Sequence, residues 1–321
     1  MIIREGVHVP EEKGIAKTLG YSVHAAETIR ALKKLGVQVS NNGDAQVVLH
    51  QCPSHIVQRV DGLPNVLYTA FESQDLPDEF IGPAKQMDHI VCVSEFVARA
   101  YRKSVPKVPV SVCHLGVDPG LFAYKRRKPK PNKPFIYLWI GAPDKRKGWE
   151  LIREAWRAFD HDPSVMLIVK TTGQGRLDKS GNVIIDSRSL TREELARVFH
   201  MAHCFVFPSF GEGFGLPLAE AMATGLPCIF TPYGGVVDYA NSHNAYPLMW
   251  KLVDIEYGIK TKGAQAYINN LILTMNKVRS NYSKSQVKGR RASEDISKSF
   301  TWDHTGKIMK QILEKCVNNF G

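Results

Sequence analysis

The sequence predicts an α/β fold of two doubly wound halves, each built on a parallel sheet. Short apolar, strand-like runs alternate with helical stretches, the pattern of parallel strands joined by crossover helices. The alternation stops in a basic, proline-containing stretch at 124–133 and restarts at Phe135. A chain of 321 residues is long enough for two cores of ordinary size.

Ile2–Val7 reads as the first strand. A loop with Gly14 and Gly20 leads into a helix from about Tyr21 to Leu35, where Ala25, Ala26, Ile29, Leu32 and Leu35 keep near-helical spacing and Gly36 ends the run. Strands are expected at about Val37–Ser40, Ala45–His50, Asn65–Ala70, His89–Val93 and Val108–His114. Helices are expected near Ser54–Val60, Pro77–Met87 and Glu95–Lys103. In the second half, Phe135–Ile140, Val165–Thr171, Val183–Asp186, Cys204–Phe207 and Cys228–Thr231 read as strands. Lys147–Phe159 reads as a helix with Trp149, Ile152, Ala155, Trp156 and Phe159 on one side. Thr191-Arg-Glu-Glu194 is a capping box that opens a helix to about Ala202. Three closing helices are expected near Gly263–Arg279, Ser283–Lys298 and Asp303–Cys316. The domain reading is therefore 1–123, a linker at 124–133, a second domain at 134–295, and a C-terminal helix at 296–321 packing back on the first domain. Ligands of such sheets bind at the carboxyl ends of the strands, so a cleft between the halves is the expected place for a site.

Composition narrows the function classes. No apolar run approaches the ~18 residues that span a bilayer. Charges at Arg4 and Glu5 interrupt the place where a signal peptide needs its apolar segment. Six cysteines show no C-x-x-C spacing and read as reduced thiols of a cytoplasmic protein. His200, His203 and Cys204 straddle a helix end and a strand start, so no metal site is expected. The net charge of +11 is uneven. Residues 1–123 carry 12 Lys/Arg against 13 Asp/Glu, residues 124–133 carry six cations and no acid, and residues 134–321 carry 24 against 18. The stretch Lys125–Lys133 reads either as a solvated linker or as a contact for phosphates or an anionic surface.

The chemistry concentrates in Phe210-Gly-Glu212-Gly-Phe-Gly-Leu-Pro-Leu-Ala-Glu220. Pro217 suits the start of a helix, and Gly225 suits its end. The N–H groups of Gly213, Phe214, Gly215 and Leu216 then stand at a helix N-terminus, a geometry that receives phosphate or hydroxyl groups. Glu212 and Glu220 flank it as acceptors for sugar hydroxyls. Together they read as a nucleotide-sugar site.

This run resembles the E-x7-E signature of retaining GT-B glycosyltransferases, especially glycosyltransferase family 4. The match extends from Phe207-Pro208-Ser209 through Ala221-Met222-Ala223-Thr224-Gly225-Leu226-Pro227 to Tyr233-Gly234-Gly235. Over the chain it covers roughly Leu19 to Tyr239. The resemblance implies a GT-B fold of two Rossmann-like domains facing across a cleft. It also implies that Glu220 holds the donor ribose and Glu212 lies beside the transferred sugar. The amides of Gly213 to Leu216 would meet the sugar and diphosphate.

Gly141-Ala-Pro-Asp-Lys145-Arg146-Lys147-Gly148 resembles the family segment in which a lysine grips the diphosphate, and Lys147 is the match. The family's usual arginine after the first glycine is Ala142 here, with Arg146, Lys145 or Lys170 as replacements. Leu19-Gly20-Tyr21-Ser22 resembles the glycine loop over the donor phosphates. Glu72 of Phe71-Glu72-Ser73 stands where many relatives carry a catalytic-site histidine. Its carboxylate could orient or deprotonate the acceptor hydroxyl, or be a plain strand-end carboxylate. Val93-Ser94-Glu95-Phe96 and Leu115-Gly116-Val117-Asp118 match further landmarks.

The expected catalytic residues are Glu212, Glu72 and Lys147, with Gly20, Arg146, Lys147, Gly213, Phe214, Gly215, Leu216 and Glu220 binding the donor. The expected donor is a UDP-sugar, with GDP- or ADP-sugars as alternatives and no metal. The acceptor is a glycan or lipid-linked glycan, or alternatively a hydroxylated base of DNA. A third reading is a sugar-nucleotide-binding protein that has lost catalysis.

Overall fold

The computed structural model describes residues 1–8, 19–40, 43–128, 134–173 and 175–320. The loop around Gly14 and the linker half 129–133 lie outside the described residues. The chain forms two compact units. The first comprises Met1–Gly116, Glu212–Phe214 and Phe300–Gly321, and the second Val117–Gly211 and Gly215–Ser299.

The first unit holds β1 (Ile2–His8), α1 (Leu19–Lys34), β2 (Gln38–Val39), β3 (Val47–Gln51), β4 (Asn65–Thr69), α2 (Asp78–Ala84), β5 (His89–Cys92), α3 (Glu95–Ser104) and β6 (Val110–Val112). All its strands are parallel, in the order β2-β1-β3-β4-β5-β6. The apolar residues of β3, β4 and β5 are buried throughout, as a sheet covered on both faces requires. Ser94 caps α3, its hydroxyl accepting from the Val97 N–H. The helix expected at Ser54–Val60 is only a 3-10 turn, Ser54–Ile56, because Val57 is already extended at ψ 141°.

The second unit holds β7 (Phe135–Ile140), α4 (Trp149–Trp156), β8 (Val165–Lys170), β9 (Leu177–Ser180), β10 (Val183–Asp186), α5 (Arg192–Met201), β11 (Cys204–Phe207), α6 (Leu216–Ala223), β12 (Cys228–Phe230), β13 (Tyr246–Pro247), β14 (Trp250–Glu256), β15 (Lys260–Ala266), α7 (Ile268–Ser280) and α8 (Tyr282–Ser299). Its main sheet runs β13-β12-β11-β7-β8-β10-β9, parallel except for the edge strand β9. Trp139, Tyr137, Phe135, Leu151, Trp156, Phe159 and Val206 form part of one aromatic-rich core. The capping box expected at Thr191 is present, with Thr191 and Glu194 exchanging backbone bonds.

One expectation is revised here. The helix expected at Gly263–Arg279 is present as α7 but starts only at Ile268, because Lys260–Ala266 is β15, paired antiparallel with β14 from Trp250↔Ala266 to Glu256↔Lys260. The three-residue turn of this hairpin, Tyr257-Gly258-Ile259, places Gly258 at φ 94°, which glycine tolerates without strain. Residues 124–128, the described part of the expected linker, are irregular and mostly exposed, and they belong to the second unit. Lys125 N–H bonds Thr224 O, and Arg127 is only 9% exposed.

The last helix, α9 (Trp302–Asn318), lies in the first unit against α1. Gly306 passes so close to Ala31 that a Cβ there would stand 2.8 Å from the alanine methyl.

Candidate active site

In the second sheet, β7 has β8 on one side and β11 on the other. Strand order reverses there, and such switch points place two loops side by side at the carboxyl ends of strands. The loop after β7 carries Gly141 to Gly148, and the loop after β11 carries Pro208 to Gly215. The two are tied directly. Arg146 O accepts from Phe210 N (2.7 Å) and Ser209 Oγ (3.0 Å), and Arg146 Nη1 donates to Gly211 O (3.0 Å). The Arg146 guanidinium also lies 5.1 Å over the Tyr257 ring. Ala264 N–H donates to Phe210 O at 2.7 Å, so the hairpin braces the signature turn from β15.

Lys147 stands before α4 rather than in its first turn. Gly148 takes φ 74°, a left-handed conformation that ends the turn and starts the helix at Trp149. A Cβ at Gly148 would collide with Pro208 O, so this glycine also permits the close approach of the two loops. The Lys147 N–H donates to Asp144 Oδ1 (2.8 Å), and its carbonyl accepts from Trp139 Nε1 (3.2 Å).

Lys170, one candidate for the charge missing at Ala142, is committed elsewhere. Its ammonium donates to the carbonyls of Thr171 (2.7 Å), Asp186 (3.1 Å) and Arg188 (2.7 Å), which uses all three of its donors. It ties the ends of β8 and β10 and has no donor left for a diphosphate.

Helix α6 starts at Leu216 behind Gly215, which holds φ 86° and accepts from Tyr239 OH through its carbonyl (2.9 Å). Pro217 is its second residue. At the other end Gly225 N bonds Met222 O and Leu226 N bonds Ala221 O, a Schellman stop with Gly225 at φ 72°. Glu220 sits inside this helix at 2% exposure. Arg192 Nη1 donates to its Oε1 at 2.7 Å, and the same guanidinium lies 4.9 Å over the Phe122 ring. Burial raises the Glu220 carboxyl above its ordinary range, and the Arg192 charge and hydrogen bond pull it back down. Arg192 is absent from the residues expected from sequence. The one available signal is its place as first residue of the capped helix α5.

The tip of the signature, Glu212–Phe214, is counted with the first unit. Ser94 Oγ donates to Gly213 O at 2.6 Å. Gly213 lies against Ala70 and Phe71, where a Cβ would be 3.1 Å from Phe71 O. Phe214 packs with His114 and Phe300, ring centroids 6.2 and 6.4 Å away. Glu212 is 6% exposed. Glu72 follows this segment, three residues past the end of β4, and is half-buried. Tyr21 fixes the segment, its hydroxyl donating to Ala70 O (2.9 Å) and accepting from Ala70 N (2.9 Å). The Glu72 charge adds to the burial that raises the Tyr21 phenol. Gly20 differs from expectation. It is the second residue of α1, exposed, and not part of a loop. The structure thus brings Gly213 to the segment before Glu72, and brings Arg146 to Gly211.

Among the described residues no group of three His, Cys, Asp or Glu side chains is arranged to hold a metal. His203 Nδ1 accepts from Ile136 N–H (2.9 Å), and Cys204 is buried. No helix of the described residues is long and apolar enough to cross a membrane.

Comparison with known proteins adds to this geometry. Residues 122–246 match the family model described as glycosyl transferases group 1. The chain is 34% identical over 84 residues to O-antigen chain mannosyltransferase B of Escherichia coli, covering 26% of this chain and 20% of that protein. It is 22% identical over 247 residues to the phosphatidylinositol N-acetylglucosaminyltransferase gpi3 subunit of Schizosaccharomyces pombe, covering 73% and 50%. A D-inositol 3-phosphate glycosyltransferase of Corynebacterium aurimucosum is 25% identical over 232 residues, covering 67% and 50%. The chain spans half or less of the length of these curated relatives. Among solved structures, sucrose-phosphate synthase from Thermosynechococcus elongatus superposes with a TM-score of 0.74 at 14% identity, covering 99% of each chain. Anabaena HepE in complex with UDP and glucose gives 0.71 at 12% identity, covering 98% and 99%. Residues 122–246 are therefore similar to the glycosyl transferases group 1 model, and the chain has the fold of GT-B glycosyltransferases.

Proposed function

We propose that this protein is a retaining glycosyltransferase that moves a sugar from a nucleotide-sugar, first of all a UDP-sugar, to a hydroxyl of a glycan or lipid-linked glycan. The observation that carries the reading is the signature run itself. It is bent by Gly215, tied to the Lys147 loop through Arg146, and carries a buried Glu220 braced by Arg192. Solved neighbours that contain UDP or UDP-glucose support the donor class. The names of relatives acting on O-antigen chains, phosphatidylinositol and inositol phosphate favour the glycan and lipid-linked branch over DNA.

In this reading Glu220 accepts hydrogen bonds from the ribose, and the amides of Gly213 to Leu216 meet the sugar and diphosphate. Lys147 neutralises the leaving diphosphate as the glycosidic bond breaks, a role that needs no metal. Glu212 lies beside the transferred sugar, and Glu72 orients the acceptor hydroxyl. Attack comes from the face the diphosphate leaves, with a diphosphate oxygen taking the acceptor proton, so anomeric configuration is kept. The protein supplies position and electrostatics rather than a nucleophile.

The test is thermal stability with UDP, GDP, ADP and CMP, each with and without magnesium. A ligand at ~100 times its dissociation constant adds ~2.7 kcal/mol. A magnesium-independent shift with one nucleotide supports the donor site and names its base. No shift with any of the four sinks the reading. Donor hydrolysis lost in Glu212→Gln but present in the parent would set aside the catalytically lost alternative.

A further inference from the structure

The second unit carries a cavity of about 180 Å³ whose lining includes Lys125, Arg126, Arg127 and Arg290, with Tyr124 and Ser283 beside them. Among the described lining residues four are cations and none is an acid. It shares no residue with the Lys147 loop or with Gly211 to Glu220.

Arg127 sets the electrostatics. It is 9% exposed, and its five N–H donors go to the carbonyls of Lys125, Phe199, Ala202 and Thr224 and to the Thr224 hydroxyl. No carboxylate is among these partners. Buried cations are ordinarily paired with an acid, because removing a charge from water is expensive. Here carbonyls at the C-terminal ends of α5 and α6 accept the hydrogen bonds and offset part of the charge, with no carboxylate to neutralise it. Burial lowers the guanidinium's proton affinity, opposed only by Tyr282, Cys228 and Tyr124.

The neighbouring cations add to this field. Among the described residues Lys125 Nζ donates to His200 O, at 3.4 Å. Arg290 meets Glu294 at 3.9 Å, an exposed pair of little strength. Arg126 is exposed. Cations gathered with only one weak acidic partner among the described residues repel one another, and a bound anion would relieve that repulsion.

The lining also speaks to the anion's chemistry. Guanidinium forks match phosphoryl oxygens two at a time. The Tyr124 ring lies over Gly225, 48% exposed, and offers an apolar wall. We propose that this cavity binds a phosphoryl group with an organic substituent, held by Lys125, Arg126 and Arg290 over the buried charge of Arg127. The shared chemistry allows a soluble phosphate ester or an anionic lipid headgroup.

Calorimetric titration with inorganic phosphate tests this on the intact protein, on the double variant Arg126→Gln/Arg290→Gln, and on Lys147→Ala. The expected result is saturable binding, weakened about tenfold in the double variant and retained in Lys147→Ala. Both substituted arginines are exposed, and an unchanged melting temperature checks that the variant is folded. Equal phosphate affinity in the double variant overturns the proposal, as does loss of all binding in Lys147→Ala. Flotation with phosphatidylglycerol–phosphatidylcholine vesicles, against phosphatidylcholine alone, separates the sources. Flotation lost in the double variant assigns a lipid headgroup, and phosphate binding without flotation assigns a soluble ester.

Discussion

Arg192 holds Glu220 from a helix 28 residues earlier, over 2.7 Å, with the glutamate side chain 3% exposed and the arginine side chain 29% exposed. The second signature glutamate is therefore a buried carboxylate whose charged form depends on one partner. Removing the arginine leaves that charge unpaired, which costs more than the pair's net worth.

Arg192→Met is expected to destabilise the protein by about 2–3 kcal/mol, reduced from a fully buried pair because Arg192 is part-exposed. The pH dependence follows from the raised Glu220 carboxyl. The folded state keeps its proton longer than the unfolded chain, which titrates near 4.3. Stability thus falls as pH rises from that value through the folded one. Without Arg192 the window reaches higher, so the variant should lose more stability at pH 7.5 than at pH 5. Urea midpoints at both pH values decide it, and an equal loss at each would remove Arg192 as the cause.

Gly215→Ala is expected to cost about 2–4 kcal/mol, because φ 86° is strained for alanine and its Cβ would stand 2.8 Å from Val236 Cγ1. Gly213→Ala should behave differently. Its Cβ would be 3.1–3.2 Å from Phe71 and Ala70, which give slightly. Small loss of melting temperature with at least tenfold slower transfer is expected, since misplacing a reacting group by a fraction of an ångström costs rate before stability. Unaltered turnover in Gly213→Ala would detach this contact from function.

His24 makes the fold acid-sensitive. It is 1% exposed, packs edge-on against Tyr68 at 4.1 Å, and burial lowers its pKa to about 3. The unfolded chain gains this proton as pH falls below about 6.5, and the folded protein does not until about 3. Stability should fall by up to about 1.4 kcal/mol per pH unit across that window. Burial of His203, lowered to about 4, acts in the same direction. His24→Leu should flatten the slope between pH 6.5 and 5. Parallel parent and variant profiles in urea would argue against this account.

Lys170→Met is expected to lower stability by about 2–4 kcal/mol, because three carbonyls lose a charged donor together. In the properly folded fraction, nucleotide affinity should change less than in Lys147→Ala. A selective loss of nucleotide affinity, with unchanged melting temperature, would return Lys170 to the donor site.

Much of the fold is legible locally. Val183–Asp186, Cys204–Phe207 and Phe135–Ile140 form strands with the bounds read from sequence, because each is a short apolar run buried in a parallel sheet. The capping box at Thr191 and the stop at Gly225 are likewise local chemistry. The hairpin β14–β15 was not legible. Most of β14 is exposed, so its residues show no alternation of buried and solvated sides. Gly20 falls inside α1 because the helix starts at Leu19, two residues before the start that the spacing predicts.

The sequence by itself determined that two parallel-sheet halves exist and that Glu212, Glu220 and the intervening glycines form one ordered run. Those features depend on periodicity, turn residues and spacing along the chain. Only the tertiary structure decided which side chains meet across it. Sheet order puts the loop after β7 beside the loop after β11, and so joins Arg146 to Gly211. It sets Arg192 on Glu220, spends Lys170 on three carbonyls and buries Arg127 away from solvent. A lysine or arginine looks the same in sequence whether its charge is offered to a ligand or consumed by the protein's own carbonyls, because that outcome depends on partners brought together by strand order.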